Sequence, residues 1–311
     1  MPNQALRADL LMLLTAIIWG SAFIAQRLGM DHIGPFLYTG LRFALAALVL
    51  LPWVLRRPSA EQPAAEPWLY RGLLIGGGLM GLVLALGINL QQVGLLFTSV
   101  TNAGFITGLY VIIVPLIGLF LGHKTGLGCW LGASLAVVGM FLLCVGDNFQ
   151  VASGDWLQLA GAFVWATHVL VVGVFAKRHD PLRLAFLQFA VCAVISLALA
   201  LVFEPIVLAA IIEAGPAIFY GGAIAGGIGY TLQVVAQKHA IASHAAIIFS
   251  LEAVFAALAG SLFLDETLQL RGYIGCTLMF IGMLIAQLWP RKAEAVAPDA
   301  EITAPARSTQ A

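Results

Sequence analysis

The sequence predicts an all-α integral membrane protein of ten transmembrane helices, arranged as two inverted five-helix repeats. Three observations carry this: an apolar composition, a one-sided distribution of basic residues between loops, and a register match between the two halves. The chain has 311 residues, 61% of them hydrophobic and 10% charged, with a mean hydropathy of +0.98. Soluble domains carry about a quarter charged residues. The formal net charge of zero hides a lopsided distribution and by itself says nothing about nucleic acid; the lipid bilayer is the surroundings this composition fits, and no nucleic-acid partner is expected. Cys129, Cys144, Cys192 and Cys276 all fall in apolar segments without a CxxC pair. Neither a disulfide framework nor a metal site is expected, and no cofactor.

A spanning helix needs about 20 apolar residues. Ten segments meet that standard. The first, Ala8 to Leu28, carries Trp19 and Gly20 at mid-depth and ends on Gln26 and Arg27. It is too long for a signal peptide and has no small-residue cleavage site. The second, Phe36 to Leu55, holds Arg42 near its outer end, where a long side chain is expected to snorkel to the interface, with a ligand role as the minority reading. PSAEQPAAEPW then forms a polar connector. The third, Leu69 to Gln91, contains GGGLMG, with Asn89, Gln91 and Gln92 near its outer end. The fourth, Ser99 to Leu121, places Asn102 and Tyr110 on one face, and the fifth runs from Leu127 to Val145. GLFLGHKT, between these last two, has the wrong spacing for a phosphate-binding loop and follows a helix rather than a strand. Direct ATP hydrolysis is therefore not expected.

The sixth segment, Asp155 to Ala176, carries Trp165 and His168 at mid-depth. His168 is open between a packing role and contact with a substrate or proton. Leu182 to Phe203 is the seventh, and the eighth, Ala217 to Ala236, holds the glycine-dense GGAIAGGIGY followed by Gln233. Ala245 to Leu264 and Gly272 to Trp289 complete the set. Glycines four residues apart, at Gly77/Gly81, Gly104/Gly108, Gly118/Gly122, Gly128/Gly132 and Gly222/Gly226, favour close helix packing.

Glu252 is the most informative residue. It lies in an otherwise apolar stretch, SHAAIIFSLEAVFAALAGSLFLD, where a charge costs about 2.5–3.5 kcal/mol at the bilayer centre. Such residues face a protein interior or a watery path. His244, Ile248 and Glu252 share one face of a continuous helix, a polar stripe that suggests a lined pathway.

If the helices alternate in direction, the loops divide unevenly. One set, with both termini, carries Arg7, Arg56, Arg57, Arg71, Lys124, Lys177, Arg178, Arg183, Lys238, Arg291, Lys292 and Arg307. The other has only Arg27 and Arg271 but holds Asp31, Asp147, Asp155, Glu204, Glu213, Asp265 and Glu266. Basic loops stay in the cytoplasm, so both termini are expected there. An extra or missing helix would scramble the partition.

The halves match in register. At an offset of 146, AIIW from Ala16 meets AFVW from Ala162, Pro35 meets Pro181, and LRFA from Leu41 meets LQFA from Leu187. At 142, LQ from Leu90 meets LQ from Leu232, and Ala103 meets Ala245. One further residue of shift aligns Gly132, Gly139 and Met140 with Gly275, Gly282 and Met283. Repeats of residues 8–146 and 153–289 follow, with 290–311 a polar tail expected to be disordered. Five helices per repeat invert the second half, as in many secondary transporters, whose sites lie near the midplane between repeats. The alignment pairs Asn102 with His244, Tyr110 with Glu252, and Trp19 with Trp165.

The chain resembles the ten-helix EamA-type members of the drug/metabolite transporter superfamily. The resemblance rests on AIIWGSAF in the first helix, TNAGFITGLYVIIVPLIGLFLG in the fourth, and LEAVFAALAGSLFLDETL in the ninth. It implies a bacterial-type inner-membrane carrier, not an enzyme, exporting a small metabolite, foremost an amino acid, by alternating access. The implied cavity comprises Trp19, Asn89, Asn102, Tyr110, Trp165, His168, Tyr230, Gln233, His244 and Glu252. Where the family often has Glu-Pro, Ala253 follows Glu252, which removes the proline basis for a kink. Proton coupling through Glu252 is one expectation and uncoupled facilitation another. Efflux of lipophilic cations is the alternative within transport; an intramembrane enzyme and a non-transporting scaffold are the alternatives outside it.

Overall fold

The computed structural model describes residues 2–56, 70–122, 125–144, 152–263 and 270–289. The PSAEQPAAEPW connector, Lys124, Asp147, Asp265, Glu266 and the tail lie outside the described residues. Every regular element among the described residues is helical: α1 (Pro2–Met30), α2 (Pro35–Arg56), α3 (Arg71–Gly94), α4 (Val100–Gly108), α5 (Tyr110–Phe120), α6 (Leu127–Cys144), α7 (Ser153–Phe175), α8 (Pro181–Phe203), the short α9 (Leu208–Glu213), α10 (Gly215–Phe219), a π-helical stretch (Tyr220–Tyr230), α11 (Thr231–Gln237), α12 (Ala242–Phe249), α13 (Glu252–Phe263) and α14 (Leu270–Leu288). With abutting pieces taken together, eight stretches are long and apolar enough to cross a membrane, and α6 and α14 contain shorter apolar helices. Bulky side chains such as Phe120, Leu201 and Leu262 point outward, the arrangement expected when the surrounding solvent is lipid.

Local chemistry sets the helix starts. Pro35 and Pro181 each open a helix, where the missing N–H costs nothing. Asp180 caps α8 by accepting from the N–H groups of Leu182 and Arg183. The equivalent position before α2 is Gly34, which has no side chain to do this. Glu204, at the end of α8, supplies the cap instead, its two oxygens accepting from Phe36 N at 2.8 Å and Leu37 N at 2.7 Å.

Packing repeats between the halves. α1 lies on α13 and on the π-helical stretch, while α7 lies on α4, α5 and α3; α2 packs on the π-helical stretch as α8 packs on α3. The most extensive pairing joins α6 to α14. A methyl group added at Gly132 would meet the Gly282 carbonyl at 2.5 Å, and one added at Gly282 would meet the Gly132 carbonyl at 2.6 Å. Further along the same crossing, Gly139 faces the Gly275 carbonyl at 2.5 Å. Since Gly132 aligns with Gly275 and Gly139 with Gly282, exchanging the halves turns one contact into the other. The other glycine pairs divide: Gly77, Gly81, Gly222 and Gly226 also pack against neighbouring helices, whereas Gly122 meets nothing and turns the chain after α5 with φ +78°.

The fourth and ninth segments, expected as continuous helices, are broken, and at equivalent places. Leu109 (φ −60°, ψ −15°) separates α4 from α5; Ser250 (φ −60°, ψ −16°), with Leu251, separates α12 from α13. Tighter bonds replace the α-helical ladder there, with Leu109 N donating to Ile106 O and Leu251 N to Ile248 O. No proline sits at the second break. The kink that the missing proline put in doubt is present: a tight turn, in which Ser250 Oγ also donates to Ile247 O at 2.8 Å, interrupts the helix just before Glu252 without proline.

Candidate functional site

The first residue after each break, Tyr110 of α5 and Glu252 of α13, lines a cavity between the halves, with about 490 Å³ of space including its open mouth. Its wall is built from pairs that the repeat already relates. Trp19 and Trp165 line it, as do Gln91 and Gln233, and Tyr110 and Glu252. Two further pairs at the same offsets, Phe23 with Val169 and Ile88 with Tyr230, also face it.

Glu252 is the first residue of α13 and almost fully buried. Tyr110 Oη donates to Glu252 Oε1 at 3.1 Å. Placing the acid at a helix N-terminus also sets it among backbone N–H groups, which favour negative charge. Gly20 makes this approach possible: a methyl group there would lie 2.6 Å from the Glu252 carbonyl oxygen. Aromatic rings complete the floor, with Tyr230 4.5 Å from Trp19 and 6.2 Å from Trp165 between ring centres. Gln91 is held between the halves, donating to Gln26 Oε1 at 3.2 Å and accepting from Trp165 Nε1 at 3.0 Å. Gln233 is buried, and its Oε1 has no hydrogen-bond partner among the described residues.

Of the ten residues expected in the cavity, Trp19, Tyr110, Trp165, Tyr230, Gln233 and Glu252 line it. His168 stands one layer behind, bonded to Gln188 at 3.1 Å and edge-on to Trp165 and Tyr230. The other three lie outside the wall. Asn89 ties α3 to α8 by donating to Ser196 Oγ at 2.8 Å. Asn102 sits in the first turn of α4, where its backbone N–H donates to Ser99 Oγ. His244, in the first turn of α12, has Nδ1 4.0 Å from Asp9 Oδ1 on α1. The stripe from His244 to Glu252 assumed one unbroken helix; the turn at Ser250 and Leu251 puts the two residues on separate helices, α12 and α13.

Arg42 requires a larger correction. It does not snorkel. Only 3% exposed, it lines the cavity, with its guanidinium carbon 5.2 Å from the Tyr38 ring centre and 5.1 Å from that of Phe43. The π-helical stretch closes over it, since Gly221 and Gly222 bring that backbone against Tyr38 and Arg42. Gln26, Gln91 and Thr107 also line the cavity unforeseen; the match of Gln91 with Gln233 was the available signal.

The EamA-like transporter family model matches this chain twice, over residues 6–145 and 152–287. An Archaeoglobus fulgidus protein named only as an uncharacterized transporter is 31% identical over 296 residues, covering 92% of this chain and 87% of that one. The threonine/homoserine exporter RhtA of Escherichia coli is 29% identical over 276 residues, covering 83% of each. A solved crystal structure superposes with a TM-score of 0.74 over 91% of this chain and 99% of that one, at 21% identity, a likeness of fold alone. The chain belongs to the EamA-like transporter family.

Proposed function

We propose that this protein is a secondary transporter of the bacterial-type inner membrane that exports a small metabolite, foremost an amino acid, by alternating access. In this reading the two family matches are inverted five-helix bundles, ten spans in all, with both termini in the cytoplasm. The observation that carries it is the central cavity lined by repeat-equivalent pairs, in which Glu252 and its Tyr110 partner stand beside the breaks in α4/α5 and α12/α13. Broken helices at the interface of two repeats are a recurrent way to build a midplane site whose flanks rock about it. Trp19, Trp165 and Tyr230 would wall the apolar part of the cargo, Glu252 would take a cationic group or a proton, and Gln91 and Gln233 would supply hydrogen bonds. The naming of a relative as a threonine/homoserine exporter favours an amino acid.

A second reading, efflux of lipophilic cations, draws on the same aromatic wall and acid, since ring faces attract cations. Transport in proteoliposomes of amino acids and organic cations, with and without an inward pH gradient, tests both. The leading reading expects an amino acid to cross and Glu252→Gln to abolish or uncouple its movement. Transport of organic cations without competition by amino acids would replace it with the second.

A further inference from the structure

Arg42 is the one feature of the cavity that this reading leaves without a task. Its Nε and Nη2 have no hydrogen-bond partner, and it forms no ion pair among the described residues. Ring faces of Tyr38 and Phe43 flank it and attract a cation, and the Tyr38 hydroxyl takes one of its N–H bonds, which leaves Nε and Nη2 open. The fold does not require a cation at this register. Gln188 occupies the equivalent place in the second half, bonded to His168. A buried guanidinium with open donors presents a planar fork matched to a carboxylate. Glu252 lines the same cavity without pairing with Arg42, so a carboxyl group and a guanidinium face one space.

We propose that Arg42 is the anion subsite of the cavity, receiving a carboxylate of the cargo while Glu252 receives its ammonium group. The inference rests on the transporter reading above and narrows its cargo to metabolites that carry a carboxylate. Lipophilic cations fit it poorly, because the subsite repels them.

The test is ligand binding to the purified full chain, read by tryptophan fluorescence, because Trp19 and Trp165 line the wall. Three probes separate the charges: L-threonine, L-threonine amide, which lacks the carboxylate, and 2-hydroxybutyrate, which lacks the amine. Arg42→Gln is expected to weaken L-threonine and 2-hydroxybutyrate by roughly 10- to 100-fold, the worth of a charge-assisted hydrogen bond. Its affinity for the amide should hold or rise. Glu252→Gln should do the reverse, weakening the amide and sparing 2-hydroxybutyrate. Arg42→Lys, which keeps the charge without the fork, should recover part of the loss and serves if Arg42→Gln does not fold.

Unchanged L-threonine affinity in Arg42→Gln, or equal loss of all three probes, would overturn the subsite. Wild type that binds and transports only the amide would also overturn it, yet leave the carrier standing. Wild type that neither binds nor moves any probe would overturn both.

Discussion

Tyr110 and Glu252 occupy the same position in the two halves of the chain and are joined by a hydrogen bond of 3.1 Å. Equivalent residues can touch only where the halves meet, so this bond marks the seam of the cavity. The two positions share backbone geometry as well, each following a turn with φ −60° and nearly equal ψ. What differs is chemistry: a phenol on one side, a carboxylic acid on the other. A duplicated scaffold has thus acquired an unsymmetrical site.

Tyr110→Phe removes the donor and keeps the ring. Leaving a buried acceptor without its partner costs about 1–3 kcal/mol, so the acid should become a poorer resident of the wall. Counterflow of the transported cargo should slow about tenfold, with less effect on unfolding temperature than a cavity-forming change such as Tyr110→Ala. Initial rates and thermal unfolding in detergent, measured together, check this.

The α6/α14 crossing predicts a stability effect remote from the cavity. Gly132→Leu would drive a side chain into the Gly282 carbonyl, a contact already at 2.5 Å for the first carbon alone. Backbone cannot yield as a flexible side chain does, and overpacking costs typically 1–3 kcal/mol. The unfolding temperature should fall, and Gly282→Leu should produce a loss of similar size because the contact is reciprocal. Unequal losses would show that the contact between Gly132 and Gly282 is not reciprocal.

Much of the cavity was legible in the sequence because the repeat revealed it. Trp19, Tyr110, Trp165, Tyr230, Gln233 and Glu252 line the wall, and four of them were paired with one another by offset alone, Trp19 with Trp165 and Tyr110 with Glu252. Two causes account for Asn102, His244 and Arg42. Asn102 and His244 were placed by assuming unbroken helices, but apolar sequence is compatible with a helix and with a helix interrupted by one tight turn, and neither break is marked by proline. Arg42 was misplaced because depth along a helix says nothing about which face the neighbouring helices cover. Its burial depends on the π-helical stretch, whose glycines admit α2, and that is a tertiary fact.

Gly20 gives a prediction that separates packing from chemistry. It contacts no cargo in the proposed mechanism, yet a methyl group there would lie 2.6 Å from the Glu252 carbonyl and 2.7 Å from Ala256 N. Gly20→Ala should push α13 from α1 and shift Glu252 within the wall. Misplacement of about 1 Å at a site can cost on the order of 100-fold in rate, so transport should fall far more than stability. Ala16, fully buried on the same helix, offers the contrast: Ala16→Gly should lower stability modestly and leave affinity for the cargo near wild type.

Glu204 and Gly34 allow a substitution to be repaired by design. Glu204 caps α2 from the far end of α8 because Gly34 cannot, whereas α8 is capped by its own Asp180. Glu204→Ala should therefore destabilise the protein by about 0.5–2 kcal/mol, the range for a lost N-cap. Gly34→Asp alone should also be unfavourable, because its first side-chain carbon would overlap the Glu204 carboxylate. Combined, the two changes vacate that space and install the arrangement found at Asp180. The double variant should recover most of the lost unfolding temperature and exceed either single variant. Such non-additivity is expected only when two residues share one partner, here the N–H groups of Phe36 and Leu37. Simple addition of the two losses would mean that Glu204 stabilises α2 by packing rather than by capping.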